Sequence, residues 1–186
     1  SFRDKLSKLI EETELNAVVI DIKDYTGTIS FETGDSEIDA LNKNGVGCKV
    51  SDMKDFVESL HDKNIYVIGR VTVFQDPLYA KTHPELAVKR KSDGGVWKDR
   101  KGISFIDVGA KPFWDHIISI ATSSYAIGFD EINFDYIRFP SDGNMKDILF
   151  SHTGATAKKE MLRQFFAYLD SKFAGTGIVT SADLFG

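Results

Sequence analysis

Apolar residues in this chain recur with two different periods, one typical of helices and one typical of strands. Spacings of three and four positions predict amphipathic helices in four segments, around residues 6–10, 53–60, 111–127 and 158–173. Between them lie β-branched or nearly continuous apolar runs, which predict strands at residues 17–24, 65–74, 129–139 and 178–186. The other segments are predicted as a short strand, a loop with one helical turn and a long irregular lid, at residues 28–31, 35–47 and 75–107.

The order of these elements is a regular alternation of helix and strand. Such an alternation predicts parallel βαβ units, arranged either as a doubly wound open sheet or as a barrel. No GxGxxG or GxxxxGK[ST] motif follows a strand, which weighs against the doubly wound nucleotide-binding class. Charged residues end all four strands, where barrel enzymes build their sites: Asp21 to Asp24, Arg70 with Asp76, Asp135 to Arg138, and Asp183. We therefore predict an α/β fold, a partial (β/α)8 TIM barrel of about four to five parallel βα units.

The length of the chain is the feature that makes the predicted barrel partial. Residues 1–186 are enough for one domain with a sizeable core, but a complete TIM barrel usually takes about 250 residues. We expect residues 1–186 to form a single domain that is an incomplete section of a larger barrel. An open barrel section exposes strand edges, so self-association through those edges is also expected.

Composition and short motifs exclude several classes of function. The net charge is −5 and there is no long basic run, so neither nucleic acid nor an anionic membrane surface is an expected partner. No apolar stretch is long enough to span a bilayer. The single cysteine, Cys48, cannot form an internal disulfide, and the four histidines show no HxH or HExxH spacing. We therefore predict no metal and no cofactor, and the absence of a G-x-S-x-G motif weighs against a serine hydrolase.

The largest group of candidate catalytic and binding side chains lies on the strand that contains Asp135. By alternation, Asn133, Asp135 and Ile137 should share one side, and Phe134, Tyr136 and Arg138 the other. A carboxylate at the carboxyl end of a strand, among aromatic rings, can serve as an acid, a base or a nucleophile. Arg138 could hold that carboxylate or bind a substrate oxygen. The structural alternative is an ion pair between Asp135 and Arg138 that only fixes a loop.

Asp183 is the second candidate acid, on the next predicted strand. Neighbouring strands are about 4.8 Å apart, so the carboxylates of Asp135 and Asp183 could flank one bond. Most enzymes that cleave a glycosidic bond use a pair of carboxylates. The distance between the two decides whether the configuration of the anomeric carbon is retained or inverted. The alternative is that Asp183 caps the next helix or turn.

Further residues at the same end of the sheet are candidates for substrate binding. Asp21 and Lys23 could bind sugar hydroxyls or form a solvated loop edge. Arg70 lies within an apolar strand and needs a partner, for which Asp21 or Asp135 would serve. Trp97 could be a platform for a sugar ring, or it could fix the long loop. Tyr136 and Arg138 complete the predicted substrate-binding set.

Five segments of the chain resemble one known family. These segments are NAVVIDIKD (16–24), IYVIGR (65–70), DGGVWKDR (93–100), GFDEINFDYIRFP (128–140) and SADLFG (181–186). Together, in order and over almost the whole chain, they resemble a bacterial glycoside hydrolase-like TIM-barrel domain that was once catalogued as a domain of unknown function. The resemblance implies a TIM barrel whose remaining strands lie outside this sequence. It also implies an extracellular or cell-envelope protein.

The strand that carries Asp135 also looks like the acidic signature of chitinase-type barrels. Asp130 and Asp135 match acidic positions of that signature, but Asn133 replaces one acid and Ile137 occupies the place of the proton-donating glutamate. The resemblance is therefore closer to barrels that use an aspartate on the fourth strand with an acid on the fifth or a later strand. Asp135 and Asp183 would take those places.

We conclude from the sequence that the domain acts on a polysaccharide or oligosaccharide. Asp135 is the predicted catalytic carboxylate and Asp183 its partner, with Arg70 and Arg138 orienting them and Asp21, Lys23 and Trp97 contacting sugar. One alternative is a non-catalytic carbohydrate-binding barrel in cell-envelope assembly. Another is an assembly piece whose open edge pairs with a second chain.

Overall fold

The computed structural model describes residues 2–184, which form an alternation of helices and strands. The helices are α1 (Phe2–Glu11), α2 (Ser36–Asn42), α3 (Met53–His61), α4 (Pro77–Thr82), α5 (Lys111–Ala126) and α6 (Lys158–Phe173), with single 3-10 turns at Pro84–Leu86 and Met145–Asp147. The strands are β1 (Ala17–Lys23), β2 (Tyr66–Thr72), β3 (Lys89–Arg90), β4 (Glu131–Asp135), β5 (Ile148–Leu149) and β6 (Val179–Ala182). Phe185 and Gly186, the end of the last predicted strand, lie outside the described residues.

The four long strands form one parallel sheet in the order β1-β2-β4-β6. Spatial order therefore follows chain order, which is the arrangement of a (β/α) barrel. Over residues 2–184 the outer strands β1 and β6 do not pair, so the sheet stays open. The prediction of an α/β fold with a partial TIM barrel is confirmed.

The sheet has one apolar face and one polar face. Ile22, Val71, Ile132 and Phe134 point toward the helices and are at most 1% exposed. The opposite face carries one row of polar residues, because Asp21 lies opposite Arg70, Arg70 opposite Asn133 and Asn133 opposite Ser181. In a (β/α) barrel this second face is the interior, and its carboxyl-terminal end is where sites form.

The covering helices follow the predicted apolar spacing. In α5, Phe113, Ile117 and Ile120 are fully buried, and in α6, Phe165 is fully buried and packs edge to face on Trp114 with ring centroids 5.5 Å apart. The bounds of α6 equal the predicted bounds, residues 158–173. None of the helices in the described range is long and apolar enough to cross a membrane.

The long segment between β2 and α5 is more ordered than its sequence suggested. Instead of an irregular lid it contains α4, a 3-10 turn and β3, which pairs antiparallel with β5. A second, smaller core forms beneath it from Val88, Trp97, Phe105 and Ile148. Pairing with the distant β5 stabilises β3, and no local period in the sequence reports such a contact.

Candidate active site

Arg70 joins two acidic residues at the carboxyl end of the sheet. Its Nε donates a hydrogen bond to Asp21 Oδ1 at 2.7 Å, and its Nη1 lies 3.7 Å from Asp135 Oδ2. Both carboxylates proposed as partners from the sequence are therefore present, one on each neighbouring strand. The hydrogen bond that Arg70 donates to Asp21 raises the pKa of Arg70 above its ordinary value. The negative charges of Asp21 and Asp135 act in the same direction, and burial opposes them. Arg70 is a permanent cation between two carboxylates.

Asp135 is the last residue of β4 and is only 6% exposed. Its Oδ1 accepts a hydrogen bond from the backbone N–H of Tyr136 at 2.6 Å. Tyr136 itself has a φ of 54°, a left-handed conformation that is uncommon outside glycine. Strained backbone of this kind is concentrated at functional sites. The turn after β4 thus fixes the orientation of the Asp135 carboxylate.

The conformation of Tyr136 corrects the predicted alternation beyond Asp135. The strand ends there, so Tyr136 and Arg138 lie on a turn and not on the helix-facing side of a longer strand. The Arg138 guanidinium is 5.5 Å from the centre of the Tyr136 ring, and its Nη1 donates to Ser141 Oγ at 2.7 Å. Both side chains are half-buried and lie in the loop that leaves the site.

Asp183 directly follows β6, the strand that pairs with the strand of Asp135. Its backbone N–H donates to the carbonyl of Phe134 at 2.9 Å, and Phe134 is the register partner of Ala182. Continuing that register puts Asp183 beside Asp135, on strands about 4.8 Å apart. The side chain of Asp183 is exposed, and its Oδ1 is 3.5 Å from Asn133 Nδ2.

A polar network below these acids was not predicted from the sequence. Asn133 Nδ2 donates to Ser181 Oγ at 3.0 Å, and Ser181 Oγ donates to Glu131 Oε1 at 2.5 Å. The Tyr66 hydroxyl also donates to Glu131 Oε2, at 3.2 Å. Burial of the hydroxyl is the main cause that raises the pKa of Tyr66, and this hydrogen bond is the second. Asn133 Oδ1 is buried and accepts no hydrogen bond within the described residues. The sequence feature that could have predicted this network is the two-residue spacing of Glu131, Asn133 and Asp135, which places all three on one face of the strand.

Lys23 does not contact the site, and its predicted role in sugar binding is wrong. The register shifts between Asp21 and Lys23, so Lys23 lies opposite Val71 instead of Thr72. This bulge turns the side chain to the helix side, where it is fully buried and lies 2.9 Å from Asp76 Oδ2. A lysine in that position cannot reach a ligand on the polar face.

Trp97 is also unavailable as a sugar platform, so the alternative prediction, that it fixes the loop, is correct. The side chain is 1% exposed, and its Nε1 donates to the carbonyl of Asn144 at 3.0 Å. Its ring packs edge to face on Phe105 and lies under Gly143, where a Cβ would come within 2.7 Å of it. Trp97 therefore stabilises the contact between two loops.

Asp130, which matched the acidic signature of chitinase-type barrels, lies at the opposite end of β4. Its Oδ2 accepts hydrogen bonds from the Val67 backbone N–H at 2.7 Å and pairs with His61 Nε2 at 3.0 Å. It thus connects strand and helix at the amino end of the sheet. Within the described part of the chain, no group of three or more His, Cys, Asp or Glu side chains could hold a metal ion.

The parallel sheet in chain order, with its acidic carboxyl end, defines the class as a (β/α) barrel domain. All of residues 1–186 match the family model described as "Putative glycosyl hydrolase domain", and the chain belongs to this family. The chain is 36% identical to a hypothetical protein from Ruminiclostridium thermocellum, whose crystal structure it matches with a TM-score of 0.85 over 97% of this chain and 89% of that one. No curated protein sequence matches it.

Two glycoside hydrolases share the fold at low sequence identity. An exo-β-N-acetylglucosaminidase of family GH20 from Vibrio harveyi matches with a TM-score of 0.69 at 13% identity, over 97% of this chain and 32% of that one. Alpha-L-fucosidase isoenzyme 2 from Paenibacillus thiaminolyticus matches with a TM-score of 0.66 at 13% identity, over 97% and 29%. This chain therefore spans about a third of each enzyme, and the similarity establishes the barrel fold.

Proposed function

We propose that this domain cleaves glycosidic bonds in a polysaccharide or oligosaccharide, with Asp135 as the catalytic carboxylate and Asp183 as the second acid. The observation that supports the proposal is the register of β4 and β6, in which Asp183, the residue after β6, follows the partner of Phe134 at the carboxyl end of a parallel sheet. A pair of carboxyl groups flanking the scissile bond is what most glycoside hydrolases use. Membership of a glycosyl hydrolase family supports the same reaction.

The surroundings of the two acids suit different roles. Asp135 is nearly buried and its orientation is fixed by Arg70 and by the Tyr136 N–H, which is the arrangement expected of a group that must meet an anomeric carbon in one geometry. Asp183 is exposed, and within residues 2–184 its side chain has one long contact, to Asn133, so it can follow the leaving-group oxygen. Asp135 would therefore act as nucleophile or base, and Asp183 as proton donor.

The polar face below the acids offers contacts for sugar hydroxyls. Asn133 Oδ1 is an acceptor without a donor among the described residues, and Asp21 is half exposed beside Arg70. A buried acceptor left without a partner costs about 1–3 kcal/mol, which a substrate hydroxyl or a bridging water would recover. Tyr136 and Arg138, on the turn after Asp135, border the same site and are proposed to contact substrate.

The test is the release of reducing ends from a panel of polysaccharides by the wild-type chain, Asp135→Asn and Asp183→Asn. We expect each substitution to lower the rate by about 10²- to 10⁴-fold, the range for loss of an acid or base. Asp170→Asn on α6 is the matched control, since Asp170 is an exposed aspartate outside the site. Full activity in Asp135→Asn would refute the assignment. Glycan binding without cleavage by any form would instead favour a carbohydrate-binding barrel.

A further inference from the structure

Residues 88–104, which we call the basic loop, differ in charge from the rest of the chain. They contain six lysines and arginines and only two acidic residues, whereas the whole chain carries a net charge of −5. The acidic residues of the protein are therefore concentrated elsewhere. A local excess of one sign in a chain of the opposite sign marks a surface that attracts an oppositely charged ligand.

The two acids of the basic loop are engaged in holding the loop itself. Asp93 forms an ion pair with Arg90 at 2.7 Å and accepts from the Gly95 N–H. Asp99 Oδ1 accepts the backbone N–H groups of Lys101 and Ile103, each at 2.8 Å. Four cations of the loop remain exposed and, within residues 2–184, form no ion pair or side-chain hydrogen bond: Lys91, Lys98, Arg100 and Lys101.

Three of these cations are close together on one turn. The backbones of Lys98 and Ser104 pair antiparallel, and the Asp99 N–H donates to the carbonyl of Ile103 at 3.0 Å. Lys98, Arg100 and Lys101 therefore lie within about 10 Å of one another along the turn. Because Trp97 and Phe105 are buried beneath it, the turn is supported by a small core. The cations are thus held together on an ordered surface.

The basic loop and the residues at its base are connected at two points to the segment that follows Asp135. At its base, the Ile106 N–H donates to the carbonyl of Phe74 at 2.9 Å, and the Phe74 N–H donates to the carbonyl of Tyr136. Further along, Trp97 bonds to Asn144 in the segment that leaves the site. Gly143, which lies over Trp97, is eight residues from Asp135, so the loop is within about 28 Å of the catalytic candidate.

From this geometry we propose that the basic loop binds a polyanionic glycan and delivers it to the Asp135 site. The position of the cleaved bond rests on the function proposed above. Binding of the glycan to the basic loop does not depend on that function. The ligand class is a polysaccharide whose repeating units carry carboxylate, phosphate or sulfate groups. Such a chain would place one sugar at the Asp135 site and anionic groups further along the chain on Lys98, Arg100 and Lys101.

Nucleic acid is the other polyanion that a basic surface could bind. Single-stranded nucleic acid is usually held by aromatic side chains that stack on bases. The aromatic residues of the basic loop and its base, Trp97 and Phe105, are each 1% exposed, so they offer no stacking surface. This observation favours the glycan.

The experiment measures binding of the full chain to soluble polymers by calorimetry at two salt concentrations. The probes are polygalacturonate, a glycerol-phosphate polymer and dextran sulfate, with unsubstituted dextran as the neutral polymer and a single-stranded oligonucleotide for comparison. The test variant is Lys98→Gln/Arg100→Gln/Lys101→Gln. The matched control is Lys5→Gln/Lys8→Gln/Lys54→Gln, which makes the same change of charge on the exposed surfaces of α1 and α3.

We expect at least one anionic glycan to bind more tightly than dextran, with affinity falling as salt rises. The test variant should weaken that binding about tenfold, while the control leaves it within about twofold. The polymer bound best identifies the anionic group. Equal binding of dextran, equal loss in both triple variants, or tighter binding of the oligonucleotide would each overturn the proposal. Binding without cleavage would leave this proposal standing and contradict the proposed hydrolase activity.

Discussion

Lys23 and Asp76 form an ion pair that is shielded from solvent, with Nζ 2.9 Å from Oδ2 and side-chain exposures of 0% and 1%. Lys23 Nζ also donates to the carbonyl of Thr72 at 2.6 Å, and Asp76 Oδ1 accepts the Tyr79 N–H at 2.7 Å. The pair therefore ties the end of β1 to the end of β2 and to the first turn of α4. Thr72 is the register partner of Asp135, so this buried pair supports the strand ends that form the candidate site.

Replacing Lys23 with methionine should destabilise the fold strongly. The substitution keeps an apolar side chain of similar length but leaves the Asp76 carboxylate buried without its counter-charge, which costs about 3–5 kcal/mol. The measurement is the free energy of unfolding in denaturant. Lys54→Met on the exposed face of α3 is the control and should change it by less than about 0.5 kcal/mol. Equal stabilities for the two variants would show that the pair contributes little.

Arg70 is expected to act as a positioning residue for Asp135. Arg70→Met removes the cation that lies between Asp21 and Asp135, and misplacement of the carboxylate by about 1 Å can cost about 10²-fold in kcat. Arg70→Lys should recover only part of the activity, because an ammonium cannot span both carboxylates as the guanidinium does. Arg163→Met, in an exposed pair with Glu160, is the control for loss of a surface arginine. A kcat unchanged in Arg70→Met, with normal folding, would contradict the role.

The class of fold followed from the sequence because helical and strand periods are both local signals. The apolar spacing predicted α3, α5, α6 and the long parallel strands, and the polar strand ends indicated the candidate site. The partners of Arg70 were also predictable, since a charge within an apolar strand requires a counter-charge on a neighbouring strand.

The errors arose where the backbone departs from regular strand geometry. A bulge at the end of β1 moved Lys23 to the other face, and the left-handed conformation of Tyr136 ended β4 sooner than its apolar run suggested. Neither lysine nor tyrosine indicates such a conformation, because the residues that usually adopt it are glycine and asparagine. Trp97 was ambiguous for a different reason. Whether a loop tryptophan is buried depends on Asn144 and Gly143, more than 40 positions away.

The last prediction concerns the pH dependence of stability through His116. Burial against Tyr79 and Phe113 disfavours the charged imidazole and lowers the pKa of His116 from 6.5 to about 4. The charges of Lys23 and His83 act in the same direction, while those of Asp76 and Asp35 oppose it. Above pH 6.5 the side chain is neutral in both the folded and the unfolded states, so its titration makes no difference to stability there.

Between pH 6.5 and 4 the unfolded state binds the proton of this histidine and the folded state does not, so stability falls as the pH is lowered. The full loss through this group is about 3 kcal/mol by pH 4. Unfolding free energies measured across this interval should therefore fall more steeply for the wild-type chain than for His116→Gln, whose side chain does not titrate. His152→Gln, which changes an exposed histidine that is not among the groups acting on His116, should retain the wild-type slope. Parallel curves for the wild-type chain and His116→Gln would show that acid destabilisation originates elsewhere.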